Sequence, residues 1–247
     1  DRIYQVPIYV DLFNEPYEKK VINNRNYIII APSGGGKSVN AKHKIRHQIE
    51  NPNNSTVVLN IGGDDKICRM YESDTLYFKY VEGQSLNLNP FWLEETITST
   101  KIEFIIDFIG LLWKTNEELT NDDRSGLDKI IFKFYKIDIN DFIQYQMQDS
   151  DFVEKQYRIV PGNNRSLPDF FNYLIENKEE IKKYTFGLFD VDSLILNLEK
   201  YAVGIYSTLF TPGEPQSFSN KKYIEFELDN IKDNPILFPI FGMVIAD

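Results

Sequence analysis

One glycine-rich segment, residues 31–38, constrains this chain more than any other. Four residues separate its first position from a Gly-Lys-Ser end, which is the spacing of a phosphate-binding loop. Glycines let the backbone wrap closely around phosphates, and successive amides then form an anion-binding nest. The predicted nucleotide site comprises Ala31, Pro32, Ser33, Gly34, Gly35, Gly36, Lys37, Ser38 and the adjoining Val39.

The side chains at the end of this segment carry the expected chemistry. Lys37 is predicted to reach the β- and γ-phosphates as a compact cation, and Ser38 to offer its hydroxyl to Mg²⁺. Ala31 stands where glycine is usual, and it is tolerated if its backbone does not need a positive φ. The alternative is a chance glycine-rich turn. Because the loop contacts phosphates alone, it predicts ATP or GTP without choosing between them.

The flanking residues predict an α/β fold of the P-loop NTPase class, with a parallel sheet and crossover helices. Short apolar runs predict strands, and the segments between them are predicted to be helices. An apolar-rich lead-in, Ile3–Leu12, predicts a further strand or hairpin. The predicted strands are Asn26–Ile30, Thr56–Ile61 and Thr75–Val81, and the predicted helices are Val39–Glu50, stopped near Asn51-Pro52, and Asp64–Tyr71.

Residues 96–207 are predicted to form a helical insertion. Apolar side chains recur there at three- and four-residue spacing, which places them on one helix face, and we interpret these faces as core. Asn121 is the predicted N-cap of the second helix. The predicted apolar faces are Ile102, Ile105, Ile106, Ile109 and Leu112; Leu127, Ile130, Ile131 and Phe134; Phe170, Leu174 and Ile181; and Leu194, Leu198 and Tyr201.

Residues 208–247 are predicted to return the chain to the nucleotide-binding core begun by residues 1–95. Lys222–Leu228 predicts a strand, and Pro235 predicts the first position of a final helix. Hydrolysis also needs a carboxylate to orient water and hold Mg²⁺. Glu227 and Asp229 are candidates, and the alternative is that they cap a turn.

Composition excludes some classes of protein and disfavours others. The net charge of -10 disfavours general nucleic-acid binding, because a negative surface repels phosphates. A short basic run at residues 42–47 is a weak exception, and we interpret it as the solvated face of a helix. The lone Cys68 cannot form an internal disulfide, which predicts a reducing compartment. No apolar run reaches the roughly 20 residues that cross a bilayer.

An ordered series of segments resembles the conjugation ATPases of type IV secretion systems, most closely the TraG-type ATPases of conjugative transposons. After the loop and the strand preceding it, the series continues through Val57–Gly62, Leu88–Phe91, Gly204–Phe210 and Phe226–Pro235. The resemblance covers nearly the whole chain. The Phe226-Glu227-Leu228-Asp229 stretch in this order is more specific than the loop alone.

The resemblance implies a motor ATPase with ATP and Mg²⁺ as cofactors. Such proteins often form hexamers, and they work with other secretion-system components at the cytoplasmic face of the bacterial inner membrane. Direct DNA contact is an open question. Their Walker B glutamate lies downstream of the helix that begins here at Pro235. We therefore expect both chain ends to be cuts in a longer protein, and slow hydrolysis by residues 1–247 alone. Asn60 departs from the aspartate expected there.

Two other functions are compatible with the same loop. One is a nucleotide-dependent structural subunit that organises partners without turnover. The other is a small-substrate phosphotransferase, for which the helical insertion would serve as a lid. ATP hydrolysis by the intact protein would distinguish a motor from a structural subunit. Phosphorylation of an added acceptor would identify a phosphotransferase.

Overall fold

A computed structural model describes residues 14–51, 53–62, 74–85, 89–93, 95–115, 117–146, 153–159, 165–210, 218 and 221–246. The chain divides into two compact units, of which the first ends at Asn54 and the second begins at Ser55. Three sequence predictions lie outside the described residues: the strand at Ile3–Leu12, the helix at Asp64–Tyr71 and the thiol of Cys68.

Within residues 14–51, the first unit contains two helices, α1 (Asn14–Glu18) and α2 (Lys37–Glu50). Helix α2 begins two residues before the predicted start, and it ends as predicted where Asn51 turns extended ahead of a proline. The predicted strand Asn26–Ile30 is wrong, since this segment forms no strand, and Ile28 and Ile30 are 85% and 88% exposed. A strand needs a neighbour for its backbone groups, and none pairs with this segment among the described residues.

A three-stranded parallel sheet forms part of the second unit. Its order is β1-β6-β2, so a strand from the end of the chain lies between two early ones. The parallel pairing confirms the predicted α/β class, with each strand slightly shorter than predicted. The strands are β1 (Thr56–Asn60), β2 (Thr75–Lys79) and the central β6 (Tyr223–Glu227).

The two faces of this sheet differ in polarity, because alternate side chains of β6 point to opposite sides. Ile224 and Phe226 join the apolar core, and Phe226 stacks on Phe78 with ring centroids 4.9 Å apart. Tyr223, Glu225 and Glu227 share the other face and are buried there. The central strand is therefore buried on both sides, as a middle strand of a parallel sheet must be.

The apolar faces predicted within residues 96–207 are present, and their members are buried in one core. The N-cap prediction was wrong by one residue, since the side chain of Thr120 accepts from Asp123 N in a capping box. The predicted helix through Phe170 and Ile181 is two helices that meet at Asn177. The helices are α3 (Ser99–Trp113), α4 (Asn121–Tyr135), α5 (Leu167–Glu176), α6 (Lys178–Tyr184) and α7 (Val191–Ala202).

A small antiparallel sheet within residues 96–207 was missed by the helical prediction. Its order is β3-β5-β4, and β5 pairs with both neighbours. The strands carry polar and charged residues among few apolar ones, so they lack a clean two-residue alternation. They are β3 (Thr96–Thr98), β4 (Phe142–Gln146) and β5 (Val153–Arg158).

The Asn89-Pro90-Phe91 segment joins the chain after β2 to the helical insertion. Asn89 Oδ1 accepts from Phe91 N at 3.1 Å, and Asn89 Nδ2 donates to Arg165 O at 2.7 Å. The Phe91 ring is fully buried and stacks on Phe170, while Phe91 O accepts from Tyr135 Oη at 2.8 Å. Burying this aromatic side chain supplies a large share of the local packing energy.

The last helix, α8 (Leu237–Ala246), begins two residues after Pro235 rather than at it. The Asn234 side chain accepts from the backbone of Ile236 and Leu237 and so caps this end. Two short 3₁₀ turns, Ser207–Phe210 and Asp229–Ile231, flank β6 in sequence. Within the described residues, α8 and the other helices are too short or too polar to span a bilayer.

The close approach of α4 to the start of α7 generates a stability prediction. A Cβ at Gly126 would lie 2.2 Å from a ring carbon of the buried Phe189. The helix-propensity gain of Gly126→Ala, about 1 kcal/mol, is smaller than the cost of displacing this ring. We expect a net loss of about 1–2 kcal/mol in unfolding free energy, measured by urea denaturation.

The matched control is Gly242→Ala in α8, where a Cβ would meet nothing within 4 Å. This variant should leave the urea midpoint unchanged or raise it, because the substitution changes only the helix propensity at this position. A midpoint for Gly126→Ala equal to or above that of the wild type would contradict the packing account.

Candidate nucleotide-binding site

Two glycines give the loop its shape. Gly34 and Gly36 have φ values of 76° and 80°, in the left-handed region that side-chain-bearing residues avoid. Between them, Gly35 N donates to Pro32 O at 3.0 Å and closes a tight turn. A Cβ at Gly35 would lie 3.0 Å from the Ala31 methyl, a tight contact that would require a neighbour to shift by a few tenths of an ångström. The backbone conformation therefore requires glycine at positions 34 and 36, and limited space favours it at position 35.

The loop leads directly into the N-terminus of α2, which has no side-chain cap. Gly36 occupies the N-cap position, so no side-chain oxygen accepts from the first amides of the helix. The first turn of the helix is closed by a hydrogen bond from Asn40 N to Gly36 O at 2.9 Å. The preceding amides, with the positive end of a 14-residue helix dipole, form an arrangement suited to an anion.

Lys37 lies across the loop. Its Nζ donates to Ala31 O, 3.3 Å away, and so links the last part of the loop to its first residue. An ammonium group has three donors, so two remain for other acceptors at this point. Ser38 and Val39 follow in the first turn of α2 with exposed side chains. The predicted phosphate-binding residues thus lie together on one exposed turn and helix end.

Alanine is tolerated at the first position of the loop, as the sequence predicts. Ala31 is not among the described non-glycine residues with positive φ, so alanine is accommodated without backbone strain. Its methyl group lies close to the space that a side chain at Gly35 would occupy. The strand that should precede the loop is missing, as described above, whereas the helix that should follow it is present.

The loop offers few protein ligands to Mg²⁺, and this ion needs few. Among the described residues, no cluster of three or more His, Cys, Asp or Glu side chains is placed to hold a metal. Mg²⁺ is ordinarily held by substrate phosphates, water and one or two protein oxygens. The exposed hydroxyl of Ser38 suits that arrangement.

The two carboxylate candidates lie in the second unit, at the carboxyl end of β6. Glu227 is 3% exposed, and its Oε1 accepts from Asp229 N at 3.0 Å, which is the contact of a turn cap. Asp229 is partly exposed and pairs with Lys232 at 2.8 Å; this hydrogen bond raises the pKa of Lys232. Asn230 Nδ2 donates to Tyr80 O at 3.0 Å and fastens the same turn to the end of β2. A role for either carboxylate in hydrolysis stays a prediction.

A third carboxylate, Glu225, was not singled out by the sequence. It is 1% exposed on β6, and its two oxygens accept from Asn60 Nδ2 at 2.6 Å and from Tyr223 Oη at 2.7 Å. This contact explains the asparagine at position 60, because an aspartate there would face another buried carboxylate without a donor. Polar residues within a strand that was expected to be buried were the sequence feature from which Glu225 could have been identified.

The basic residues of α2 contact other residues of the same helix. Arg46 Nε donates to Glu50 at 2.8 Å, and this contact lowers the pKa of Glu50. His43 and His47 contact each other with ring centroids 4.6 Å apart. These contacts agree with the interpretation of this run as the solvated face of a helix.

Comparison with known proteins identifies the family. The TraG P-loop domain matches residues 1–247. The structure of VirB4 of Thermoanaerobacter pseudethanolicus shares the fold, with a TM-score of 0.57 and 16% sequence identity. The match covers 90% of this chain and 55% of that one, so this chain spans about half the length of VirB4. No curated protein sequence matched. The chain therefore belongs to the TraG P-loop domain family.

Proposed function

We propose that residues 1–247 bind ATP with Mg²⁺ as the nucleotide-binding part of a conjugation or type IV secretion motor ATPase. The observation that carries this proposal is the uncapped N-terminus of α2, reached through two glycines at positive φ. Backbone amides that lack a cap and a dipole that favours negative charge suit a polyphosphate. Membership of the TraG P-loop family supports the motor assignment.

Each loop residue has a separate role in this proposal. The amides around Gly34 and Gly36 hold phosphate oxygens, while Lys37 neutralises the charge of the β- and γ-phosphates. Ser38 contributes its hydroxyl to Mg²⁺, which supplies further neutralisation of the developing charge in phosphoryl transfer. Val39 lies in the first turn of α2, where its backbone amide adds to the same anion site. All these contacts are made to phosphates, so the loop does not distinguish one nucleotide base from another.

Hydrolysis needs a carboxylate that is free to orient water. Glu227 is engaged with the amide of Asp229, and Asp229 is paired with Lys232. These engagements favour a water-activating carboxylate from another segment of the intact protein, with Glu227 and Asp229 as the candidates within the described residues. We propose slow turnover by residues 1–247 alone.

Membership of the TraG P-loop family supports a proposal about assembly. We propose that the intact protein forms a hexamer and works with other secretion-system components at the cytoplasmic face of the bacterial inner membrane. Its ATP hydrolysis would drive assembly of the machine or transfer of DNA and protein. The net charge of -10 favours protein partners over direct contact with nucleic acid.

A structural subunit without turnover is the second candidate, and the occupied carboxylates at the end of β6 favour it. In that case nucleotide binding alone would organise partners. The phosphotransferase alternative has less support, since the apolar faces of the insertion are buried in core rather than arranged as a lid.

Replacing Gly36 tests the binding site. Gly36→Ala forces a side chain into left-handed backbone, at a cost of about 1–2 kcal/mol, so the affinity for Mg²⁺-ATP should fall about tenfold or more. The measurement is fluorescence titration with an ATP analogue. The matched control is Gly83→Ala, because Gly83 has a φ of 79° in the second unit. Equal losses of affinity in both variants would reject the loop as the binding site.

Replacing Lys37 tests the motor. Steady-state phosphate release by the intact protein should fall about 100-fold or more in Lys37→Ala, since one preorganised cation is lost. Arg46→Ala on the same helix is the control, and it should retain turnover. Phosphate release unchanged by Lys37→Ala would reject the motor. Tight Mg²⁺-ATP binding without turnover by the intact wild type would support the structural subunit.

A further inference from the structure

The two histidines of the chain, His43 and His47, lie four residues apart on helix α2. The regular turn of an α-helix places their side chains about 40° apart around its axis, and so on one face. Two histidines at this spacing on a helix are the pattern that holds a zinc ion in helical metal sites. Both side chains are exposed to solvent, that of His47 to 63%. We call these two residues the histidine pair.

The distance between the two rings suits a shared metal ion. The Nε2 atoms of the histidine pair lie 3.2 Å apart, and the ring planes are inclined at 83°. Zinc–nitrogen bonds measure about 2.0–2.1 Å, so two nitrogens at this separation give a nitrogen–metal–nitrogen angle of about 100°. This angle lies between those of octahedral and tetrahedral coordination. Small rotations of the two rings would therefore direct both lone pairs at one ion without a change in the helix.

A carboxylate supports one of the two rings. His47 Nδ1 lies 3.9 Å from Glu50 Oε2, on the side of the ring away from His43. A histidine that binds metal through one nitrogen commonly directs its other N–H to a carboxylate, which fixes the tautomer and the ring orientation. Glu50 is itself held in place, because its Oε1 accepts from Arg46 Nε at 2.8 Å. The arrangement leaves His47 Nε2 as the nitrogen for a metal.

The charges around the pair are compatible with a bound cation. The Arg46 guanidinium is paired with Glu50, and the Lys44 ammonium lies 4.9 Å from the ring centroid of Tyr27. The net charge of -10 adds a long-range field that attracts cations. Neutral imidazole binds divalent zinc, copper and nickel, whereas Mg²⁺ prefers oxygen ligands.

The histidine pair lies apart from the Mg²⁺ ligand proposed in the nucleotide loop. Ser38 precedes the pair by five and nine residues on the same helix, which places it about 140° and 180° away around the axis. Its hydroxyl is a hard oxygen ligand, while the pair offers two nitrogens. Helix α2 therefore presents two kinds of metal ligand on different faces.

We propose that His43 and His47 chelate one divalent transition metal ion through their Nε2 atoms, with water in the remaining coordination positions. Glu50 is a positioning residue that orients the His47 ring. Two protein ligands rather than four place the dissociation constant for Zn²⁺ at about 1–100 µM. The ion links adjacent turns of α2 and stabilises the folded helix. This site is additional to the proposed nucleotide site and does not depend on it.

The test is calorimetric titration of the 247-residue chain with Zn²⁺ in excess Mg²⁺. All samples carry Cys68→Ser, which removes the one thiol that could also bind zinc. We expect one tight Zn²⁺ ion per chain, and a loss of affinity of about tenfold or more in His43→Gln and in His47→Gln, because chelation needs both rings. Half the stoichiometry with an unchanged dissociation constant in these variants would overturn the proposal, since it would indicate two independent histidines.

A matched control keeps both imidazoles but changes their spacing. His47→Gln combined with Gln48→His moves the second ring about 100° around the helix, so it should lose the tight site as His47→Gln does. Lys44→Gln should retain the site. Tight binding by the respaced variant, or by the variant that lacks both histidines, would overturn the chelate.

Nuclear magnetic resonance of the histidine rings gives a direct second readout, since the chain has two histidines. One equivalent of Zn²⁺ should shift the signals of both rings together, and excess Mg²⁺ should not reverse the shift. A shift of one ring alone would overturn the proposal. His43→Gln should leave the affinity for Mg²⁺-ATP unchanged, so failure of the zinc site and failure of the nucleotide site are distinguishable.

Discussion

Burial of the central strand β6 is the constraint on which the second unit depends. All five of its residues are buried, and it pairs in parallel with β1 and β2, which come from the early part of the chain. A strand buried on both faces must satisfy every polar group that it carries. Glu225 does so through Asn60 and Tyr223, and Glu227 through the amide of Asp229. The sequence between the strands must therefore fold so that its two ends meet at this sheet.

The parts of the fold that follow from local chemistry could be predicted from the sequence. The loop at 31–38 needs glycine where φ is positive, and the helix after it begins where the glycines end. Apolar faces such as Ile102–Leu112 and Leu194–Tyr201 follow from the helical repeat alone. Parallel pairing followed from strands that alternate with helices.

The parts that depend on distant partners could not be predicted. Residues 26–30 are apolar and β-branched, yet a strand exists only if a neighbour accepts its backbone groups. The β3-β5-β4 sheet was missed for a related reason. Its strands lack a clear two-residue alternation of apolar and polar side chains, and they are stabilised by pairing with one another. The role of Asn60 required Glu225, which is distant in sequence. Whether Glu227 and Asp229 serve hydrolysis depends on groups that a strand pattern does not reveal.

The proposed function depends on the nucleotide loop, where we propose that the amides of residues 33–38 converge on a bound polyphosphate. Hydrogen exchange followed by mass spectrometry, with and without saturating Mg²⁺-ATP, tests this claim most directly. We expect slower exchange in peptides that cover residues 33–38, with no change across the buried strand β6. Unchanged exchange at residues 33–38 in the presence of Mg²⁺-ATP would contradict it.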